Sequence, residues 1–252
     1  MAARGVGVAT GLHGITAKHA LILDSEEAFN NIKRTLEGAL SEFTGYPGFK
    51  ITAGRTHGQN VLLVLVPPFP AAVYETVSEL VMFGVRRIVA VIDGFKSRRG
   101  IAEDSVLIAS AAVPRDSISR RISLNELPLT ASVNMVLRVK EALVSPSYGD
   151  FNYYIGFTLT VDTPRIAASD SETAEYLKVK QIIGVDTITA PLYAFQFLYP
   201  SLEALSVIVL NRNIHDASVA FEETLDKYER VKSRSSRMIT MIALALLKEL
   251  FK

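Results

Sequence analysis

The stretch from Val77 to Asp116 constrains the fold of this chain more than any other. It begins with a helical pattern that Gly84 is expected to end, because glycine commonly follows the last turn of a helix. Two continuous apolar runs come next, Ile88–Ile92 and Val106–Val113, joined by a glycine-containing turn at Asp93-Gly94. Continuous apolar strands are typical of sheets that are covered on both faces. The segment therefore predicts an α/β fold with helices outside a buried sheet.

Strand and helix patterns alternate along the rest of the chain. Further strands are predicted at His19–Leu23, Phe49–Ala53, Val61–Val66, Tyr153–Val161 and Leu205–Leu210, with a turn around His57-Gly58 between the second and third. Helices are predicted at Glu26–Leu40 after an N-cap at Ser25, Val73–Phe83, Ser132–Val144, Ser171–Ile183, Thr189–Leu198 and Glu222–Leu250, the last with a break near Ser233–Ser236. No linker, repeat or low-complexity tract separates these elements. We therefore expect one α/β domain over residues 1–252, with a central mixed sheet.

The composition excludes several classes of function. The formal net charge of +1 argues against a nucleic-acid partner, and the most apolar late stretch is far short of the roughly 20 residues of a membrane span. The chain has no cysteine, which excludes disulfides and thiolate chemistry, and its four scattered histidines predict no metal site. The N-terminal residues lack the apolar core of a signal peptide, so we expect the cytoplasm. The absence of cysteine and tryptophan is weakly typical of thermophilic proteins.

Four segments together resemble the nucleoside phosphorylase superfamily, in particular its uridine phosphorylase branch. They are Leu12–Leu23, with a histidine and a glycine before the first strand, Val77–Asp116, Gly184–Phe195 and Ala204–Asp216, whose strand ends in Asn-Arg. Their order and spacing agree with the family over most of the chain. The resemblance implies a three-layer αβα fold with a mixed central sheet. It also implies a homodimer or hexamer, whose interface involves the segment around His13 and the apolar surface near Pro67–Tyr74.

The groups that hold phosphate in this family are missing from the matching positions. The resemblance places three arginines at Ala28, at about Pro47 and at Ala90. Its glycine-rich phosphate loop falls on residues 66–70, Val-Pro-Pro-Phe-Pro, whose prolines have no backbone N–H to offer. Arginine binds phosphate through a bidentate fork of donors. Losing all three arginines therefore predicts negligible phosphorolysis by the isolated chain.

The positions that bind the sugar and the base in the family are altered as well. A glutamate that binds ribose corresponds to Ile188, which cannot accept a hydrogen bond. The Phe-x-x-x-Gln-x-Arg pattern that reads uracil falls near Pro164–Asp170, and none of its side chains is kept. Asn211 and Arg212 do match the family. His13 matches a histidine that reaches the sugar of an adjacent protomer, although the spacing is one residue short.

A pocket is still expected at the carboxyl ends of the strands, as in other α/β folds. Asp93, Asp162 and Asp186 are the nearby carboxylates, of which Asp93 and Asp186 are the candidates for catalysis. The predicted substrate-binding residues are His13, Gly94, Phe95, Phe157, Asn211 and Arg212. The favoured alternative is that Arg212 pairs with Asp186 or another carboxylate and merely fills the site. For Lys96–Arg99, a solvated loop is favoured over a substitute anion site.

Three functions are compatible with this pattern. The preferred one is a nucleoside phosphorylase-like protein that has lost activity and serves as a structural or regulatory subunit, beside an active paralog. The second is an active phosphorylase or nucleosidase with a rebuilt site. The third is a module that uses the old cleft to bind a protein or a small molecule, for which a nucleoside or nucleobase is the candidate. No cofactor is expected, and phosphate would be a co-substrate only of an active enzyme. Fold alone does not choose among them.

Overall fold

The computed structural model describes residues 11, 17–123, 127–144, 151–179, 181–216 and 225–250. Within these residues the strands are β1 (His19–Leu23), β2 (Glu37–Thr44), β3 (Lys50–Thr56), β4 (Gln59–Leu65), β5 (Arg87–Lys96), β6 (Ser105–Pro114), β7 (Leu129–Thr130), β8 (Asn152–Thr160), β9 (Ile182–Asp186) and β10 (Glu203–Asn213). The helices are α1 (Glu26–Lys33), α2 (Pro70–Met82), α3 (Ser119–Ile122), α4 (Val133–Val144), α5 (Pro164–Ser169), α6 (Ser171–Lys178), α7 (Thr189–Leu198) and α8 (Leu225–Leu250), and a 3₁₀ turn spans Ile214–Asp216.

All ten strands join in one mixed sheet that partly closes on itself. β5 is central: it runs parallel to β1 and β10 and pairs antiparallel with β9 at its carboxyl end. The circuit β5–β10–β6–β8–β9 returns to β5 and forms a closed five-stranded barrel. On the other side, β1, β4, β3 and β2 extend the sheet outward. The mixed α/β sheet expected from the sequence is confirmed, including its three apolar strands β5, β6 and β10.

Helices cover both sides of this sheet. α8 packs against both α1 and α4 on one side, while α2 packs against α7 on the other. The fully buried Tyr193 of α7 donates its hydroxyl to the carbonyl of Ala109 on β6 and accepts the N–H of Ser206 on β10. Such a buried phenol is stable only when its polar end is paired. This contact fixes α7 across two barrel strands.

Two predicted helices end earlier than their apolar spacing suggested. α1 stops at Lys33, and the prediction that it reaches Leu40 is wrong because Glu37–Thr44 pairs antiparallel with β3. α6 stops at Lys178, and the prediction that it continues to Ile183 is wrong because Ile182–Asp186 pairs with β8 and β5. In both places tertiary strand pairing overrides the local helical pattern.

Two further predictions are wrong: the turn at Asp93-Gly94 and the break in the last helix. Asp93 and Gly94 are not a turn but lie inside β5, opposite Val209 and Leu210 of β10. A Cβ at Gly94 would lie 2.4 Å from the Ile208 side chain, so glycine is needed where the barrel closes. The break predicted in the last helix is also absent, since α8 runs unbroken through residues 233–236.

Several local predictions are confirmed. Ser25 caps α1 by accepting the N–H of Ala28, and α7 spans the predicted residues with Pro191 in its first turn. His57 and Gly58 both have positive φ, as the tight turn between β3 and β4 requires. Gly84, with φ of 95°, ends α2.

Candidate functional site

A cavity of about 470 Å³ opens at the carboxyl ends of the parallel strands β1, β5 and β10. β9 and one face of α8 complete its wall, together with residues from two loops. This cavity, called the strand-end pocket below, is lined by Asp24, Ser25, Pro68, Asp93, Phe95, Pro164, Asp186, Thr187, Arg212, Val231, Lys232, Ser235, Ser236 and Ile239. It lies where α/β folds usually bind ligands. Charged and apolar groups from distant parts of the chain converge here.

Arg212 is aimed into the pocket by an irregularity in β10. The register of β10 against β5 shifts between Leu210 and Arg212, which leaves Asn211 as a bulge and sets Arg212 opposite Phe95. The guanidinium donates to Asp93 Oδ2 at 2.6 Å and lies over the Phe95 ring at 4.4 Å from its centroid. Arg212 thus pairs with Asp93 rather than with Asp186. One face of Phe95 is covered by the guanidinium, so a flat ligand cannot stack there.

Asp24 lines the pocket, although the sequence did not predict it as a site residue. It follows β1 directly, and its Oδ2 accepts the N–H of Asp93 at 3.0 Å. Burial and then the neighbouring Asp93 charge raise the pKa of Asp24 to about 8. Asp24 therefore holds a proton at neutral pH. The sequence does show a carboxylate at the carboxyl end of a buried strand, which could have indicated a site residue. Its contact with Asp93 could not be predicted, because the two residues are 69 positions apart in the chain.

α8 contributes hydroxyl groups to the same network. Ser235 donates to Asp93 Oδ1 at 3.0 Å and lies 2.9 Å from the Asn211 amide, which donates to its Oγ. Ser236 shares a 2.8 Å hydrogen bond with Ser25. Burial raises the pKa of Asp93, although Arg212 and Ser235 oppose this by stabilising its charged form. The serines predicted to break α8 instead face the pocket.

Asp186 plays a different part, because its carboxylate is committed to the fold. It is buried and accepts the N–H groups of Ile188 and Thr189, both at 2.7 Å, at the start of α7. The Thr158 hydroxyl donates to it at 2.6 Å. Burial raises the pKa of Asp186, while these hydrogen bonds lower it. The carboxylate holds the turn that leads into α7, where an anion is favoured by the nearby helix N-terminus.

The structure brings together four of the predicted site residues and leaves the others elsewhere. Asp93, Phe95, Asp186 and Arg212 line the pocket, and Asn211 lies behind it, bonded to Ser235. Gly94 faces the barrel, whereas Phe157 packs against a small apolar cluster around Leu159. His13 lies outside the described residues. Asp162 is exposed and accepts hydrogen bonds from Ser117 instead.

The positions that the resemblance assigned to phosphate-binding arginines offer no cation. Ala28 and Ala90 are fully buried, in α1 and β5, and Pro47 is exposed in the turn between β2 and β3. Pro68, from the former phosphate loop, is part of the pocket wall. The predicted solvated loop at Lys96–Arg99 is wrong for its first half, because Lys96 ends β5 and Ser97 donates to the Ile182 carbonyl from a buried position.

A larger cavity of about 760 Å³ lies elsewhere, at the carboxyl end of α7. Its lining is mostly apolar or neutral, and its one carboxylate, Glu203, pairs with Arg87 at 2.8 Å. We therefore take the strand-end pocket as the candidate site. Among the described residues no group of three or more acidic or histidine side chains is placed to hold a metal ion. None of the described helices combines the length and apolarity needed to cross a membrane.

Comparison with solved structures identifies the class of fold as that of the nucleoside phosphorylases. Two crystal structures of uridine phosphorylase from Vibrio fischeri ES114 superpose on 93% of this chain with TM-scores of 0.77 and 0.76. The aligned residues cover 91% of the chain in the first crystal structure and 92% in the second, and the sequence identity is 16% in both cases. The first of them is complexed with 6-hydroxy-1-naphthoic acid. No protein-family model and no curated protein sequence matches the chain.

Proposed function

We propose that this protein is nucleoside phosphorylase-like in fold but does not carry out phosphorolysis, and that it acts as a binding or structural subunit. The observation that carries this is the pairing of Arg212 with Asp93, beside a second carboxylate, Asp24. Arg212 is the one guanidinium among the described residues of the pocket wall. A phosphate dianion would have to displace Asp93 from the guanidinium, and it would then face the like charge of that buried carboxylate.

The direct test is a nucleoside panel assayed with and without phosphate. We expect no phosphate-dependent release of base from uridine, inosine or adenosine by the pure chain. The same panel with an added active paralog tests whether the chain contributes only within a mixed assembly. Robust phosphate-dependent turnover by the pure protein would refute the proposal.

Ligand binding is tested separately by calorimetric titration with a nucleoside. We expect weak binding that phosphate does not change, and weaker binding by Arg212→Ala, because that variant loses the donors of the guanidinium. Arg98→Ala, in an exposed loop, is the matched control and should behave as wild type. Equal binding by wild type and Arg212→Ala, or none at millimolar nucleoside, would leave only the structural-subunit function.

A second candidate, a hydrolytic nucleosidase, is favoured by the pair of carboxylates itself. Asp24 retains a proton while Asp93 is held by a guanidinium, and a carboxylic acid beside a paired carboxylate can supply the acid and the base of a catalytic step. In that case the panel would show base release without phosphate. Asp24→Asn and Asp93→Asn would each abolish that release, whereas Asp162→Asn, outside the pocket, would not.

Assembly into a homodimer or larger oligomer is part of the proposal. The aromatic rings of Tyr46 and Phe69 are about half exposed, at 56% and 48%, on loops that touch where Gly48 approaches Pro67. Exposed aromatic groups of this kind are typical of interfaces. We expect light scattering to show at least a dimer, and Phe69→Asp to weaken it while Ile166→Asp, on α5, does not. A monodisperse wild-type monomer at working concentration would contradict this.

A further inference from the structure

The strand-end pocket is short of one positive charge. Asp24 and Asp93 lie side by side at the carboxyl ends of β1 and β5, and Arg212 supplies one guanidinium for both. The third carboxylate, Asp186, is already stabilised by the N-terminus of α7 and by Thr158. Lys232 lies on the exposed rim. Two buried carboxylates therefore share one cation.

A second observation concerns the atoms of Asp24. Its Oδ2 is occupied by the backbone N–H of Asp93, whereas its Oδ1 is buried and has no hydrogen-bond partner among the described residues. Buried carboxylate oxygens are normally paired, and an unpaired one carries a cost of about 1–3 kcal/mol. A positively charged hydrogen-bond donor bound at Oδ1 would supply both the missing hydrogen bond and the missing positive charge.

We propose that the strand-end pocket binds an organic cation, a planar amidinium or a comparable nitrogen base, whose charge pairs with Asp24 beside Asp93. This rests on the proposed function, in which the pocket takes a ligand without phosphate. A planar amidinium donates two parallel hydrogen bonds, which suits a carboxylate. Pro68, Pro164 and Ile239 offer apolar surface to the body of the ligand. A metal ion is disfavoured, since the described residues provide no set of three ligands.

The charge of the pocket makes the binding dependent on pH. The groups that surround Asp24 come from every neighbouring element: Asp93 on β5, Arg212 on β10, Asp186 on β9, and Lys232 and Ser235 on α8. Burial raises the pKa values of Asp24 and Asp93, which share one guanidinium, so we expect these two groups to carry the pH dependence. A cation that displaces one proton binds up to tenfold more tightly for each pH unit until that proton is lost. For Asp24 the rise ends at about pH 8.

Three probes of one shape test this: benzamidine, a planar cation, benzamide, its neutral analogue, and benzoate, an anion. By calorimetry we expect benzamidine to bind most tightly and benzoate least. Affinity for benzamidine should rise roughly 10- to 100-fold between about pH 6 and about pH 8, while that for benzamide stays level. Titrations in two buffers of different ionisation enthalpy should show about one proton released per benzamidine. This measurement needs only the wild-type protein.

Two variants test whether Asp24 is the group that binds the cation. Asp24→Asn should bind benzamidine at least tenfold more weakly and lose the pH dependence, while Asp162→Asn, an exposed carboxylate outside the pocket, should keep both. Benzamidine binding that does not change with pH, absence of benzamidine binding at millimolar concentration, or tighter binding of benzoate would each overturn the inference. The phosphate panel is independent of these outcomes. A chain that binds nucleoside but not benzamidine would refute the cation preference alone, whereas phosphorolysis would refute the proposed function.

Discussion

Replacing Asp186 with alanine is expected to lower the free energy of unfolding by about 3 kcal/mol. The carboxylate accepts from Ile188 N–H, Thr189 N–H and the Thr158 hydroxyl, all of which are buried. Alanine leaves these donors unpaired, and each unpaired buried group costs about 1–3 kcal/mol. Removing a buried charge recovers part of that cost, which is why the net loss is smaller than the sum. Urea denaturation of both proteins measures the difference.

Asp170→Ala is the matched control for this prediction. Asp170 also accepts hydrogen bonds at the start of a helix, since it is the N-cap of α6 and accepts the N–H and hydroxyl of Thr173 at 2.7 Å, but in a more exposed setting. Its loss should cost about 1 kcal/mol, as for an ordinary N-cap. Asp186→Asn, which keeps one acceptor oxygen for the backbone, should fall between the two. If Asp186→Ala cost no more than Asp170→Ala, the carboxylate would not be a structural group, and a role in ligand chemistry would regain support.

The sequence predicted the architecture well where the pattern was strong and local. β5, β6 and β10 are long apolar runs, and only strands buried on both faces explain such runs. α7 was predicted with its observed bounds because Pro191 fits a first helical turn. The short elements β2 and β9 were missed. Each continues an apolar spacing that a helix also satisfies, and pairing with distant strands decides between the two.

The site was predictable only in outline. Resemblance placed a pocket at the strand ends and drew attention to the missing arginines at Ala28 and Ala90. The bulge at Asn211, which turns Arg212 onto Phe95, depends on strand register and leaves no mark in the sequence. The sequence marks Asp24 only as a carboxylate at the end of a buried strand. Its role follows from a contact with Asp93 that the fold alone creates.

The stability of the protein is expected to fall as pH rises from about 4 to about 8, and Asp24 contributes to this fall. The pKa of Asp24 is raised from 3.8 to about 8 in the folded chain. Within this window the folded state keeps a proton that the unfolded state has released, so each pH unit costs up to 1.36 kcal/mol. Below the window both states are protonated, and above it both are ionised. The raised pKa of Asp93 acts in the same direction.

Asp24→Asn should remove the part of this dependence that Asp24 contributes. Asparagine keeps an oxygen that can accept the N–H of Asp93 but never becomes charged. We expect the variant to be more stable than wild type by about 3 kcal/mol at about pH 8, and by less than 1 kcal/mol at about pH 4. The lowered pKa of His19 works against the trend, but it is common to both proteins and cancels in the difference. Urea midpoints across this pH range provide the measurement, with Asp162→Asn as the control. A constant difference between variant and wild type would show that Asp24 is ionised in the folded protein, and the account of a proton held beside Asp93 would then fail.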